Sequence, residues 1–184
     1  VGAIRARLGK KGERFVGLDG KTYEADETMC VIADERAVLG FGGIMGGEET
    51  GCTHETCNVL IECAYFDPLR TAATGRKVGL QTDARYRFER GVDPAFIEPG
   101  LDLATHMMID GSGGEPSKRR IAGKPPVKRT VIPFSFARIE KLAGLKLPET
   151  QMRKTLETLG FAVEGKGATL TVTAPSWRPD VHGP

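Results

Sequence analysis

Over the first eight residues Val1, Ala3, Ile4, Ala6 and Leu8 mix with arginines, the pattern of a half-exposed strand. Phe15 to Leu18 and Lys21 to Tyr23 then flank Asp19-Gly20, a dipeptide suited to the positive φ angles of a tight turn, which predicts a hairpin. Met29 to Ala33 and Val38 to Phe41 predict two further strands, running into Gly42-Gly43-Ile44-Met45-Gly46-Gly47. Val59 to Phe66 is apolar on both faces apart from Glu62 and Cys63, which predicts a central strand. The period then changes. Asp67-Pro68 reads as an N-cap with proline at the first helical position, and Gly79 as a stop, so Asp67 to Val78 is expected to be helical. Asp93-Pro94 repeats the signal, and a helix over roughly Leu101 to Asp110 places Leu101, Ala104 and Met108 on one face.

Gly111 to Thr130 is rich in Gly, Pro, Lys and Arg, a linker composition that predicts a domain boundary. Beyond it, Ser135 is placed to cap a short helix ending near Gly144. Glu149 to Leu159 predicts a second helix with Met152, Leu156 and Leu159 inward, ended by Gly160. Phe161 to Val163 and Thr169 to Thr173 then pair across Gly165-Lys166-Gly167. Helix, turn, helix and two-stranded wing outline a winged-helix-like module. The expected fold class is α+β: a mixed-sheet domain with helices over residues 1–115, a linker over 116–128 and the winged-helix-like module over 129–184.

Composition narrows this only slightly. The chain has 184 residues, 40% hydrophobic and 27% charged, which fits one or two small soluble globular domains and argues against disorder throughout. The Val59–Phe66 run falls far short of the ~20 apolar residues of a membrane-spanning helix. No secretory signal is visible, and the chain opens at Val1 directly in a strand pattern, so both ends read as cuts in a longer protein. Glycine is abundant, 24 of 184 against an average near ~7%, pointing to many turns or close backbone approaches. The net charge of +2 hides three basic clusters: Arg5, Arg7, Lys10, Lys11 and Arg14; Arg76, Lys77, Arg85, Arg87 and Arg90; and Lys118, Arg119, Arg120, Lys124, Lys128 and Arg129. Each is either a solvated face or a phosphate contact. Cys30, Cys52, Cys57 and Cys63 match neither paired zinc ligands nor a secreted disulfide framework and read as reduced cytosolic thiols. Cys52, His54 and Cys57 lack the fourth ligand of a zinc site.

Three features stand out as candidate chemistry. A carboxylate at Glu62, inside an apolar run, would cost several kcal/mol to bury unpaired; it therefore meets either an arginine or a ligand. The glycine pairs around Ile44-Met45 allow backbone N–H groups to approach a ligand, or form a bulged strand. Residues 81–94, from Gln81 to Pro94, alternate charge with aromatics, as either a solvated helix with internal ion pairs or a phosphate-facing strip.

Taken in order, Gly42-Gly43-Ile44-Met45-Gly46-Gly47-Glu48, Val59-Leu60-Ile61-Glu62-Cys63-Ala64-Tyr65-Phe66, Gly79-Leu80-Gln81-Thr82-Asp83-Ala84 and Arg87-Phe88-Glu89-Arg90-Gly91-Val92-Asp93-Pro94 closely resemble the editing domain of the bacterial phenylalanyl-tRNA synthetase beta subunit family. Leu159-Gly160-Phe161, followed by Ala174-Pro175-Ser176-Trp177-Arg178-Pro179-Asp180, resembles the winged-helix-like domain that comes next in that family. The resemblance covers nearly the whole chain.

It implies a part of a cytoplasmic complex of two alpha and two beta subunits that joins phenylalanine to tRNA(Phe), with ATP and Mg²⁺ serving the whole synthetase and no cofactor in this part alone. Neither DNA nor a membrane is an implied partner. The implied activity of the domain is hydrolysis of tyrosyl-tRNA made in error. By the family's pattern Glu62 reads the tyrosine hydroxyl, while Thr82, Ala84, Gly43 and Gly46 line the pocket. A histidine of the same pocket belongs, in the family, to a stretch upstream of Val1. No Ser, His, Asp triad stands at usable positions, so positioned water is expected rather than a covalent intermediate, and no catalytic residue is assigned. Asp180 matches the first of a group of carboxylates that hold magnesium. A non-catalytic scaffold binding tRNA or the alpha subunit is the alternative. A winged-helix DNA regulator is disfavoured, because residues 149–159 carry only Arg153 and Lys154 against Glu149 and Glu157.

Overall fold

The computed structural model describes residues 3–167 and 169–183; the start of the predicted first strand, Val1 and Gly2, lies outside them. The chain is of the α+β class and divides into two units, Val1–Val92 with Phe96–Arg120, and Asp93–Ala95 with Ile121–Pro184.

In the first unit β1 (Arg5–Leu8), β4 (Cys30–Ala33), β5 (Val38–Phe41) and β6 (Met45–Gly46) form an antiparallel sheet in the order β1-β4-β5-β6. β2 (Glu13–Val16) and β3 (Thr22–Ala25) form a separate hairpin with Phe15 opposite Tyr23. Its turn closes at Asp19-Gly20: Gly17 N donates to Lys21 O at 2.8 Å, and Gly20 has a φ of 76°, a value glycine reaches without strain. Strand residues Phe15, Tyr23, Val31, Val38 and Phe41, with Met29, Ile44 and Leu80 from the connections, form one core. Phe15 meets Phe41 edge-on at 4.9 Å. Each buried apolar side chain here contributes about 1.5–3 kcal/mol by leaving water.

Three helices follow. α1 (Pro68–Lys77) starts as its sequence dictates, with Asp67 accepting from Arg70 N at 2.8 Å and Pro68 in the first turn. α2 (Asp83–Phe88) is capped by Thr82. α3 (Ile97–Ser112) is longer than its apolar pattern predicts. It runs through Pro99, which is tolerated because N–H groups of the first turn have no intrahelical acceptor to lose. Met108, expected on the inner face, is exposed.

Val59–Phe66 differs from expectation. It forms no strand, and Val59 and Leu60 are 49% and 68% exposed. A strand is completed by a neighbour's N–H and C=O groups, and among the described residues no strand pairs with this segment.

In the second unit β7 (Val131–Phe134), α4 (Ala137–Ala143), α5 (Glu149–Thr158), β8 (Ala162–Glu164) and β9 (Leu170–Thr173) give the expected helix, helix and wing, with β7 added to make an antiparallel sheet of order β7-β9-β8. Pro133 fits in β7 because that strand lies at the sheet edge. Ser135 does not cap α4 through its side chain; its carbonyl accepts from Arg138 N at 3.1 Å. Leu159, expected inward, is 55% exposed, whereas Met152 is buried against Phe136 and Leu170.

Candidate functional site

β5 leads into the turn Gly42-Gly43-Ile44 and the chain returns as β6, placing Phe41 opposite Met45 and Gly40 opposite Gly46. Ile44 N donates to Phe41 O at 3.1 Å, and Gly43 has a φ of 70°. The space left by the missing side chains is filled. A Cβ on Gly42 would lie 2.5 Å from the Phe66 ring, and one on Gly43 would lie 2.8 Å from Phe66 and 3.0 Å from Phe88. These two rings meet edge-on at 5.2 Å. The glycine pair is thus a hairpin turn lying beneath an aromatic pair. Gly46 is elsewhere on the hairpin: its nearest side chain is Leu18, 3.3 Å from a Cβ built there.

Thr82 joins this turn to α2. Its Oγ1 donates to Ile44 O at 2.7 Å and accepts from Arg85 N at 3.1 Å. One hydroxyl therefore caps a helix and holds the carbonyl next to Gly43. Ala84 sits exposed on the first turn of the same helix. Phe66, Phe88 and Arg85 also build this region; Arg85 and Phe88 fall in the charged and aromatic stretch 81–94, but none of the three is singled out by the sequence as a pocket residue. Arg85 lies over Gly75 of α1, where a Cβ would collide with its side chain, and its guanidinium donates to Leu80 O and, at 2.9 Å, to Glu89. The signal was present in the buried Gly75 inside a helical pattern, since such a glycine usually has a packing reason.

Glu62 departs from the expected setting. It lies in an irregular segment and is exposed as a residue, yet burial around its carboxyl pushes its pKa above the usual carboxylate value. No arginine pairs with it among the described residues; Arg70, the nearest in sequence, donates to Thr28 O at 3.2 Å instead. Glu62 acts electrostatically on the Cys30 and Cys63 thiols, both pushed up chiefly by burial. Cys30 O in turn accepts from Gly42 N at 3.0 Å. Glu62 and the glycine turn therefore share Cys30 as a neighbour, while Gly46 and Ala84 are not drawn toward it by any contact.

The remaining candidates resolve as follows. Both Asp180 oxygens are taken by Arg178, at 2.8 and 2.9 Å, and this holds the carboxyl at a pKa of about 2. The described residues hold no group of three potential metal ligands, Cys52, His54 and Cys57 included. Magnesium is bound by carboxylates and waters in octahedral geometry, and among the described residues Asp180 is the single carboxylate of this place, exposed and paired with Arg178. Within residues 81–94 only α2 (Asp83–Phe88) is helical, and internal pairs run from it into the following turn: Arg85 to Glu89, and Arg90 over the Tyr86 ring at 3.7 Å. An open cleft of about 560 Å³ lined by Lys11, Asp26, Thr28 and Lys77 contains none of the expected site residues. No helix among the described residues is long and apolar enough to cross a membrane.

Comparison with known proteins adds an independent line. The family model of the B3/4 domain matches residues 1–113, and that of the tRNA synthetase B5 domain matches residues 132–184. The chain is 48% identical over 182 residues to the phenylalanine–tRNA ligase beta subunit of Rhodopseudomonas palustris, covering 99% of this chain and 23% of that protein. It is 49% identical over 180 residues to the subunit of the same name from Paramagnetospirillum magneticum, covering 98% of this chain and 23% of that protein. To that from Bartonella quintana it is 47% identical over 184 residues, covering 99% and 23%. The chain spans about a quarter of the length of these relatives.

Proposed function

Because the chain belongs to the phenylalanine–tRNA ligase beta subunit family, as its B3/4 domain followed by its B5 domain, we propose that it supplies most of a hydrolytic proofreading site for tyrosyl-tRNA(Phe). The physical need is plain. An apolar pocket that accepts phenylalanine rejects an isostere with one added hydroxyl only about 100-fold, so a second site of opposite preference is useful.

Glu62 carries the reading. Its carboxyl has no partner among the described residues and is already shielded enough for its pKa to rise. A tyrosine hydroxyl would give it a charge-assisted hydrogen bond, and phenylalanine would leave it unmatched at a cost of ~1–3 kcal/mol. Gly43, Thr82, Ala84 and Gly46 line the pocket in this proposal. A positioned water attacks the ester carbonyl, backbone N–H groups donate to the oxyanion that forms, and the bond to the ribose oxygen breaks, releasing tyrosine and the free tRNA hydroxyl with no covalent enzyme intermediate. The division into an editing domain over 1–115, a linker over 116–128 and a winged-helix-like domain over 129–184 belongs to the same reading. So do the cytoplasmic location, the alpha-subunit partner in a heterotetramer of two alpha and two beta, and the use of ATP and Mg²⁺ by the whole synthetase to charge tRNA(Phe). Asp180 would be one carboxylate of the group that holds that magnesium.

The test is deacylation of purified tyrosyl-tRNA(Phe) by the full-length subunit in its complex, wild type against Glu62→Ala. Slower release of tyrosine by the variant is expected. Equal rates would remove the role given to Glu62, and absence of deacylation by the wild type would leave a binding scaffold.

A further inference from the structure

Of the three basic clusters, two are partly engaged within the protein: Arg5, Lys10, Lys11, Arg76 and Arg87 make no ion pair among the described residues, while their other members do. Arg7 grips Glu13 through two hydrogen bonds of 2.7 and 2.8 Å, and Arg14 pairs with Glu24 at 2.8 Å. Lys77 pairs with Asp26 at 2.5 Å, and Arg85 and Arg90 both meet Glu89. The third differs. From Pro116 to Ile139 the chain carries Lys118, Arg119, Arg120, Lys124, Lys128, Arg129 and Arg138 and no carboxylate. Arg119 is held by Glu98 and Asp102 of α3, each at 3.0 Å. Lys118, Arg120, Lys124, Lys128 and Arg129 are all exposed, and no carboxylate lies within 4.0 Å of them among the described residues. Residues 113–130 form neither helix nor strand.

Like charges at this density repel one another and keep a Gly- and Pro-containing segment extended. Leaving five cations unpaired has no benefit to folding, because exposed pairs are worth little and none is formed here. We propose that residues 118–129 are a contact strip for the phosphate backbone of RNA, which deepens the tRNA-binding part of the function proposed above and rests on that reading for the identity of the nucleic acid. An acidic protein face would be the other polyanion. It is the poorer fit, since protein interfaces gather aromatic anchors and are depleted in lysine, and residues 118–129 hold three lysines and no aromatic. Phosphate contact needs only charge and reach, with the two arginines adding a fork that matches phosphate oxygens.

The experiment uses the full-length subunit in its complex and uncharged tRNA(Phe) as probe, measuring Kd across a potassium chloride series. The variant K118A/R120A/K124A/K128A/R129A is expected to bind at least ~10-fold more weakly at low salt. Its slope of log affinity against log salt falls by ~0.7–0.9 for each phosphate that is no longer neutralised. The charge-preserving R120K/R129K variant keeps the wild-type slope. An unchanged Kd and slope overturns the proposal, as does weaker binding with an unchanged slope, which is the signature of a folding defect. Failure to assemble with the partner subunit while the tRNA slope is kept also overturns it, in favour of an acidic protein partner. The two readings fail separately: the strip is read by the salt slope of uncharged tRNA(Phe) binding, which Glu62→Ala leaves in place while it slows tyrosine release. A slope unchanged in the five-alanine variant therefore strikes the strip alone, and tyrosine release unchanged in Glu62→Ala strikes the editing reading alone.

Discussion

Replacing Thr82 by valine removes one hydroxyl and almost no volume, yet that hydroxyl makes two bonds, one of them between parts of the chain 38 residues apart. Losing an N-cap costs about 1 kcal/mol, and the lost bond from Oγ1 to Ile44 O adds about 1 kcal/mol. Together ~2 kcal/mol corresponds to roughly 30-fold in an opening equilibrium, at tenfold per 1.4 kcal/mol. Hydrogen exchange with mass spectrometry on the full-length subunit reads this locally, without requiring two-state unfolding of a multidomain protein. Peptides covering α2 are expected to exchange about 30-fold faster in Thr82→Val, and peptides covering the Gly42–Gly47 turn are expected to accelerate with them. Thr82→Ser keeps both bonds and is expected to stay within a few-fold of wild type. Unaltered exchange of α2 in Thr82→Val would refute the argument that this hydroxyl ties helix to turn.

Gly75→Ala drives a Cβ into the Arg85 side chain; overpacking of this kind costs about 1–3 kcal/mol, and protease cleavage between α1 and α2 is expected to accelerate, with unchanged cleavage counting against it. Asp26, held at a pKa of about 2 first by Lys77 and then by Thr28, has a folded value below its unfolded one. Its contribution is therefore complete above about pH 4 and is lost as pH falls toward about 2. Lys77→Met is expected to raise the Asp26 pKa, as read by carboxyl NMR titration, and an unmoved titration would deny the pairing. Glu62 has the opposite sign: burial raises its folded pKa, so the cost to folding is absent below its unfolded pKa of 4.5 and grows as pH rises through the folded value. Glu62→Gln is thus expected to raise the thermal midpoint at pH 7 and leave it unchanged at pH 4, whereas equal shifts at both would contradict a desolvated carboxylate.

What could be read from the chain was what local chemistry decides. Asp19-Gly20, the Asp67-Pro68 cap and the glycines at 144 and 160, with φ of 68° and 86°, each specify a turn or an end from a few neighbouring residues. Val59–Phe66 was illegible for the converse reason. Its β-branched and aromatic residues satisfy a strand's composition, but pairing is decided by residues elsewhere, and only Phe66 of this run is buried. The Gly42-Gly43 pair left a ligand loop and a bend both open; the chain turns there, and that Phe66 and Phe88 pack over it follows from folding a turn, an irregular segment and a helix together. Gly160 is similar, for a Cβ there would lie 2.5 Å from the Trp177 ring.

The central claim is that Glu62 recognises a hydroxyl. A crystal structure of the full-length subunit in its complex with a non-hydrolysable tyrosyl-adenosine analogue tests it most directly. The expected result is the phenol oxygen about 2.5–2.7 Å from a Glu62 carboxylate oxygen, the length of a charge-assisted O–H···O bond. A phenol bound away from Glu62, with that carboxylate turned to an arginine instead, would contradict it.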